Sequence, residues 1–236
     1  MSSYKTGDGS ASSKVYEDTV PSPVLYKKGY ILSTADNKPL TSPNIEQIAA
    51  GLLAGEPALF PTDTVYGLGL AVGFAASPEI LYDLKERDHG KPIAWLVGGE
   101  DALARYGEAV PAWVFALARA FWPGALTLVV KAGAAVPEAF RSPAGTIALR
   151  MPDNANALAL IERVGVPLAT TSANISGQAP PKSFDEIDAR LLAKVPLALR
   201  DYSAKSGLAS TVVDCCGESP ILIREGDISL EEILTV

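Results

Sequence analysis

Three short segments and two arginines carry residue types suited to binding anionic or zwitterionic substrates. Lys85-Glu86-Arg87-Asp88-His89-Gly90-Lys91-Pro92 sets three cations within seven residues, beside a glycine and a proline. In a loop they can converge on a polyphosphate, the lysines as point charges and Arg87 as a planar fork. Glu86 and Asp88 are interleaved, so the run also reads as a solvated helix end. Pro61-Thr62-Asp63-Thr64-Val65-Tyr66-Gly67 packs two hydroxyls and a carboxylate into one loop. Such a loop suits a small polar ligand such as an amino acid, or closes a turn on its own backbone. Thr170-Thr171-Ser172-Ala173-Asn174-Ile175-Ser176-Gly177 can cradle an anion through backbone N–H groups and hydroxyls, or form an Asx or Ser/Thr turn. Arg150 and Arg224 each end an apolar strand-like run, where a guanidinium needs an anionic partner, either a ligand or a structural carboxylate.

Other chemistries are excluded by what is missing. There is no Walker A sequence and no Gly-x-Gly-x-x-Gly after a strand. The one histidine, His89, and the two adjacent cysteines, Cys215 and Cys216, offer neither a zinc ligand set nor a Ser-His-Asp triad. The metal-ligand expectation is therefore none. The cysteine pair reads as small buried thiols of a reduced, cytoplasmic protein. Net charge is −7 over 236 residues and the pI about 4.8, which argues against a broad basic face for duplex nucleic acid. No apolar stretch is long and clean enough to span a bilayer, and the first 25 residues hold no secretory core.

The elements that must position these groups alternate between strand-like and helix-like. Residues 1–29, rich in Ser, Gly, Lys and Asp, read as a flexible extension, and 30–236 as one catalytic domain. Helices are expected after Ser42-Pro43, with Ile45, Ile48, Ala49, Leu52 and Leu53 on the inner face, after Ser77-Pro78, and over 111–121 and 154–164. Capping boxes at Ser183/Glu186 and Ser229/Glu232 predict two more. Strands are expected at 58–60, 93–97, 126–130, 146–150, 167–171, 197–200, 211–214 and 221–224. The irregular mixture predicts an α/β protein with a twisted mixed sheet flanked by helices.

In order along the chain, FPTDTVYGLGL (60–70), KERDHGKPIAWLV (85–97), FWPGALTLVV (121–130), TIALRMPD (146–153), PLATTSANISG (167–177), STVVD (210–214) and ILIREG (221–226) resemble the threonylcarbamoyl-AMP synthase family, the YrdC-like domain. The resemblance spans about residues 40–228. It implies a YrdC-like fold around a concave basic cavity, in a short form without the extra C-terminal domain of longer members. It also implies a reaction of L-threonine, bicarbonate and ATP, with Mg2+ carried by the ATP, giving threonylcarbamoyl-AMP and pyrophosphate. A tRNA threonylcarbamoyl-transferase complex would then modify adenosine 37 of tRNA, with at most a weak tRNA contact by this domain.

By motif position, the resemblance places Thr64, Arg150, Thr170 and Ser210 around threonine, with Arg150 clamping its carboxylate. It places Arg87, Lys91, Ser172 and Arg224 on ATP, with Thr146 and Pro180 lining that site. Lys85 and Asn174 stand close by, and Lys85 and Arg87 are the expected catalytic cations. Joining three anionic or zwitterionic reactants asks mainly for positioning and positive charge, and no covalent nucleophile is evident. Three positions depart from the pattern: Ala125 and Ala209 replace prolines, and Asn154 a histidine. Two other readings are an RNA-binding module using the same basic surface and a carbamoyl-adenylate enzyme acting on carbamoyl phosphate. Intact PTDT and SAN loops favour the synthase over the first, and the extra domains of carbamoyl-adenylate enzymes are missing from the second.

Overall fold

The structure is a computed structural model that describes residues 43–86 and 93–236. The expected boundary near residue 29, together with Arg87, His89 and Lys91, lies outside the described residues.

The elements run α1 (Ile45–Leu53), β1 (Ala58–Pro61), β2 (Tyr66–Ala71), α2 (Glu79–Lys85), β3 (Ala94–Leu96), α3 (Asp101–Tyr106), α4 (Ala112–Phe121) and β4 (Leu126–Lys131). They continue as β5 (Thr146–Arg150), α5 (Ala155–Val164), β6 (Leu168–Ser172), α6 (Ala189–Lys194), β7 (Thr211–Asp214), β8 (Ile221–Arg224) and α7 (Leu230–Ile233). The strands form one mixed sheet in the order β1-β2-β6-β3-β5-β4-β7-β8. β3/β5 and β4/β7 are parallel, and the other neighbours are antiparallel. The expected mixed α/β sheet with flanking helices is what forms.

Because strand side chains alternate, the sheet has two differently built faces. One carries Leu68, Trp95, Leu128, Leu149 and Val213, packed into a single core with α2, α3, α4 and α7. The other is covered only at one end, where Phe60, Leu96 and Leu168 meet Ile48 and Leu52 of α1 and Leu160 of α5. Beyond that end, small and polar residues follow in register across the strands: Gly69 against Thr170, Thr170 against Ala94, Ala94 against Ala148, and Ala148 against Val129. A row of Gly, Thr and Ala leaves room above the sheet where large side chains would have filled it. Gly69 is required there: a Cβ would fall 2.8 Å from Thr170 Oγ1 and 2.9 Å from the Phe60 ring.

Several local expectations need correction. Leu53 is 39% exposed, so the buried stripe of α1 is Ile48, Ala49 and Leu52 alone. β2 and α3 were not legible as a strand and a helix. Two glycines in YGLGLA weaken strand propensity, and α3 has only six residues. The run 197–200 is not a strand of the sheet. It makes an isolated bridge to β1, with Leu59 N donating to Leu197 O at 2.8 Å and Leu199 N to Leu59 O at 2.8 Å. The Ser183/Glu186 box does not form. Glu186 accepts from Lys182 N at 2.7 Å, only a short 3-10 turn follows, and α6 is capped instead by Asp188. The Ser229/Glu232 box forms as expected.

Candidate active site

The uncovered end of the sheet is a cavity of about 1010 Å³. Its floor is the inward row of β6, β3, β5, β4 and β7. Its walls come from the Thr62–Gly67 turn, the start of α2, the 139–146 loop and the Ala209–Ser210 segment. Of the residues expected to contact threonine, Thr64, Arg150, Thr170 and Ser210 all line it. Of those expected on ATP, Thr146, Ser172, Pro180 and Arg224 line it too. Arg87 and Lys91 lie outside the described residues. Lys85 and Asn174 stand behind the wall rather than in it.

The Thr62–Val65 segment turns because Thr62 satisfies it locally. Its Oγ1 donates to Val65 O at 2.6 Å and accepts from Val65 N at 3.2 Å. With that proton committed, the Thr64 hydroxyl 3.0 Å away is the donor to Thr62. Thr64 Oγ1 also accepts from Arg150 Nη1 at 2.9 Å. An acceptor lone pair of Thr64 is left toward the cavity, matched to an ammonium or hydroxyl of a ligand.

Arg150, 6% exposed, ends the most buried stretch of β5. Its guanidinium meets three acceptors: Gly124 O from Nε at 2.9 Å, Thr64 Oγ1, and Asp63 Oδ1 from Nη2 at 2.5 Å. The anionic partner expected for a buried strand-end arginine is thus, within the protein itself, Asp63, which lies just outside the lining. Burial pulls the Arg150 pKa down and Asp63 opposes that pull. Arginine remains charged throughout ordinary pH regardless.

Arg224 is held differently. Nε and Nη2 both donate to Ser210 O, at 3.1 and 2.8 Å, and Nη2 also reaches Ser210 Oγ at 3.3 Å. Burial lowers its pKa first, and the positive charge of Arg150 lowers it further. A guanidinium whose charge is disfavoured by burial and by a neighbouring cation favours an anion near it. Ser210 Oγ is 2.8 Å from Thr127 Oγ1, which couples β7 to the cavity floor.

The SAN loop is organised from below by Lys85, the last residue of α2 and only 2% exposed. Lys85 therefore belongs to a helix end and not to a loop reaching for phosphate. Its Nζ donates to Asn174 O at 2.8 Å and to Ser172 O, and also approaches Asn174 Oδ1 at 3.2 Å. Ser172 Oγ donates to Asn174 Oδ1 at 2.5 Å, while Asn174 Nδ2 donates to Ile175 O at 2.9 Å and Gln178 O at 2.7 Å. Asn174 is spent on shaping the loop that presents Ser172.

Of the three departures, Asn154 has a local explanation, and nothing in the structure explains alanine for proline at 125 and 209. Asn154 caps α5, accepting from Ala157 N at 3.0 Å, a contact worth about 0.5–2 kcal/mol. Ala125 O accepts from Thr211 N at 2.9 Å, and Ala209 O from Asp227 N at 3.1 Å. Ala209 is further fixed by Gly226, where a Cβ would fall 2.0 Å from its carbonyl oxygen. Burial raises the thiols of Cys215 and Cys216 to about 12 and about 11, so both are poor nucleophiles at neutral pH.

Sequence reasoning did not single out Thr127, Arg141 or Asp214, all in the lining. A threonine on a strand looks like ordinary β-branched filling, and Arg141 falls between the recognisable motifs. Among the described residues the lining holds three arginines, Arg141, Arg150 and Arg224, against the carboxylates of Glu79 and Asp214.

Comparison with known proteins agrees with this arrangement. A family model named Sua5/YciO/YrdC, described as telomere recombination, matches residues 51–226. Threonylcarbamoyl-AMP synthase of Bacillus subtilis is 34% identical over 89% of this chain and 61% of that protein. The Pyrococcus abyssi synthase is 35% identical over 79% of this chain and 55% of that protein. A crystal structure of P. abyssi Sua5 complexed with L-threonine superposes with a TM-score of 0.73 at 32% identity, covering 81% of this chain and 57% of that one. The chain thus spans little more than half the length of these relatives. Fold, motif order and family match agree, and the chain belongs to the Sua5/YciO/YrdC family.

Proposed function

We propose that the protein is an L-threonylcarbamoyladenylate synthase, joining L-threonine, bicarbonate and ATP into threonylcarbamoyl-AMP with release of pyrophosphate and water. The observation that carries the reading is the single cavity in which Thr64, Arg150, Thr170 and Ser210 face the same space as Thr146, Ser172 and Arg224. A zwitterionic amino acid and a polyanionic nucleotide need these two kinds of lining side by side.

In this reading Arg150, already oriented by Asp63 and Gly124, offers its remaining N–H groups to the threonine carboxylate. Thr64 accepts from the amine. The uncharged amine attacks the bicarbonate carbon, and loss of water leaves a carbamate. A carbamate oxygen then attacks the α-phosphorus, and the bond to the pyrophosphate oxygen breaks. Arg224 holds the phosphates, beside the loop that carries Ser172, while negative charge shifts to the departing pyrophosphate. Most of the rate enhancement is positional, since three reactants are held in one site.

Among the described residues no group of three or more His, Cys, Asp or Glu could hold a metal ion. Magnesium is assigned as part of the substrate, MgATP, coordinated mainly by phosphates and water. The product would pass to a tRNA threonylcarbamoyl-transferase, in the cytoplasm. Among the described residues no helix is long and apolar enough to cross a membrane.

The test is a pyrophosphate-release assay. Release is expected only with ATP, L-threonine and bicarbonate together. Equal turnover with threonine omitted would remove the assignment.

A further inference from the structure

The three arginines of the cavity are not equivalent. Arg150 is bonded to a carboxylate, Asp63, at 2.5 Å, so much of its charge is already compensated by the protein. Among the described residues Arg224 is bonded only to the carbonyl and hydroxyl oxygens of Ser210. Among the described residues Arg141, on the loop between β4 and β5, is bonded only to backbone carbonyls: Nε donates to Val136 O at 3.0 Å and Nη2 to Gly133 O at 3.1 Å. It makes no ion pair with any described carboxylate, and its residue is exposed while lining the cavity. Neutral carbonyls aim a guanidinium without cancelling its charge. Anchoring Nε and Nη2 from one side leaves Nη1 as the uncommitted end.

The loop that carries Arg141 is itself held firmly. Ser142 N donates to Thr146 O at 2.9 Å, Gly145 N to Ser142 O at 2.9 Å, and the Ser142 and Thr146 hydroxyls are 2.7 Å apart. The arginine is therefore tied to the wall that Thr146 contributes. Its anchoring matches that of Arg224: same two nitrogens, carbonyl acceptors and, among the described residues, no carboxylate.

We propose that Arg141 is a phosphate-binding residue of the cavity, acting with Arg224 on the polyphosphate of the nucleotide substrate. The assignment rests on the proposed use of ATP, and it goes beyond it by giving the 139–146 loop a ligand. Arg150, with its charge compensated, is left to the amino acid. Two guanidiniums that keep their full charge suit a triphosphate, and contacts by Arg141 to the outer phosphates would separate ATP from AMP.

The test is calorimetric titration of wild type, Arg141→Ala, Arg141→Lys and Arg224→Ala with MgATP, AMP, inorganic tripolyphosphate and L-threonine. Thermal unfolding of each variant checks that it is folded. Loss of a charge-assisted contact predicts about ten- to hundred-fold weaker ATP and tripolyphosphate binding for Arg141→Ala. Arg141→Lys should recover part of it, and threonine and AMP should bind as in wild type. Tripolyphosphate probes the anion site even if the nucleotide is not ATP. A wild type that binds tripolyphosphate but not ATP, with that binding weakened in Arg141→Ala, would support the phosphate site and overturn the ATP reading. Unchanged ATP and tripolyphosphate affinity in a folded Arg141→Ala, with Arg224→Ala impaired, would overturn the role of Arg141 alone. Absence of any tripolyphosphate and ATP binding by wild type would overturn both.

Discussion

Replacing Lys85 by methionine is expected to remove stability and nucleotide binding together. Methionine keeps much of the length and the apolar stem but offers no N–H to the carbonyls of Ser172 and Asn174, which Lys85 serves from a site 2% exposed. Each buried acceptor left bare costs about 1–3 kcal/mol. Relief from burying an ammonium offsets part of this, so the net loss is about 2–5 kcal/mol. Ser172 moves once the loop beneath it relaxes, and ATP affinity falls with it. Chemical denaturation gives the stability, and calorimetry under conditions where the variant is folded gives the affinity. Full stability with weakened ATP binding would mean that Nζ faces the ligand and not the loop. Wild-type behaviour in both would contradict the hub role.

Arg150→Lys is the second large effect, and it should fall on threonine. The guanidinium spans Gly124 O, Thr64 Oγ1 and Asp63 Oδ1 and still has N–H groups for a ligand. A lysine concentrates three donors at one point and cannot span that set. Losing one charged hydrogen bond to the substrate carboxylate weakens threonine binding by about ten- to hundred-fold. Stability should fall less than for a wholly buried ion pair, because the Asp63 side chain is 17% exposed and lysine keeps the charge. Separate titrations with threonine and ATP decide the matter. Unchanged threonine affinity with collapsed ATP affinity would move Arg150 to the nucleotide.

Much of this site could be read before any fold was known, because its groups sit at strand ends and turns, where local sequence dictates conformation. Thr64, Arg150, Thr170 and Ser210 meet in one cavity as their motifs implied. What escaped was tertiary in origin. Asp63 as the partner of Arg150 depends on two segments 87 residues apart. The Lys85 hub depends on α2 ending beneath β6, so a lysine in a charged run looked like a phosphate ligand while folding into the interior. The cavity itself comes from small residues aligned across separate strands, Gly69, Thr170, Ala94 and Ala148, none informative alone. β2 was hidden by the same glycines that keep the floor clear. Conversely, the 183/186 spacing satisfied a capping rule but formed no α-helix there, because Glu186 bonds to Lys182 N instead.

The central claim is that the amino acid, bicarbonate and the nucleotide are joined in this one cavity. Incubation with MgATP, L-threonine and carbon-13-labelled bicarbonate, followed by mass spectrometry of the adenylates, tests it directly. The expected product is a threonine-containing adenylate heavier by one mass unit than that from unlabelled bicarbonate, much reduced at sub-saturating substrate when Arg150→Lys or Lys85→Met replaces the wild type at the same concentration. AMP or ADP formed at the same rate, with no labelled adenylate carrying threonine, would contradict it.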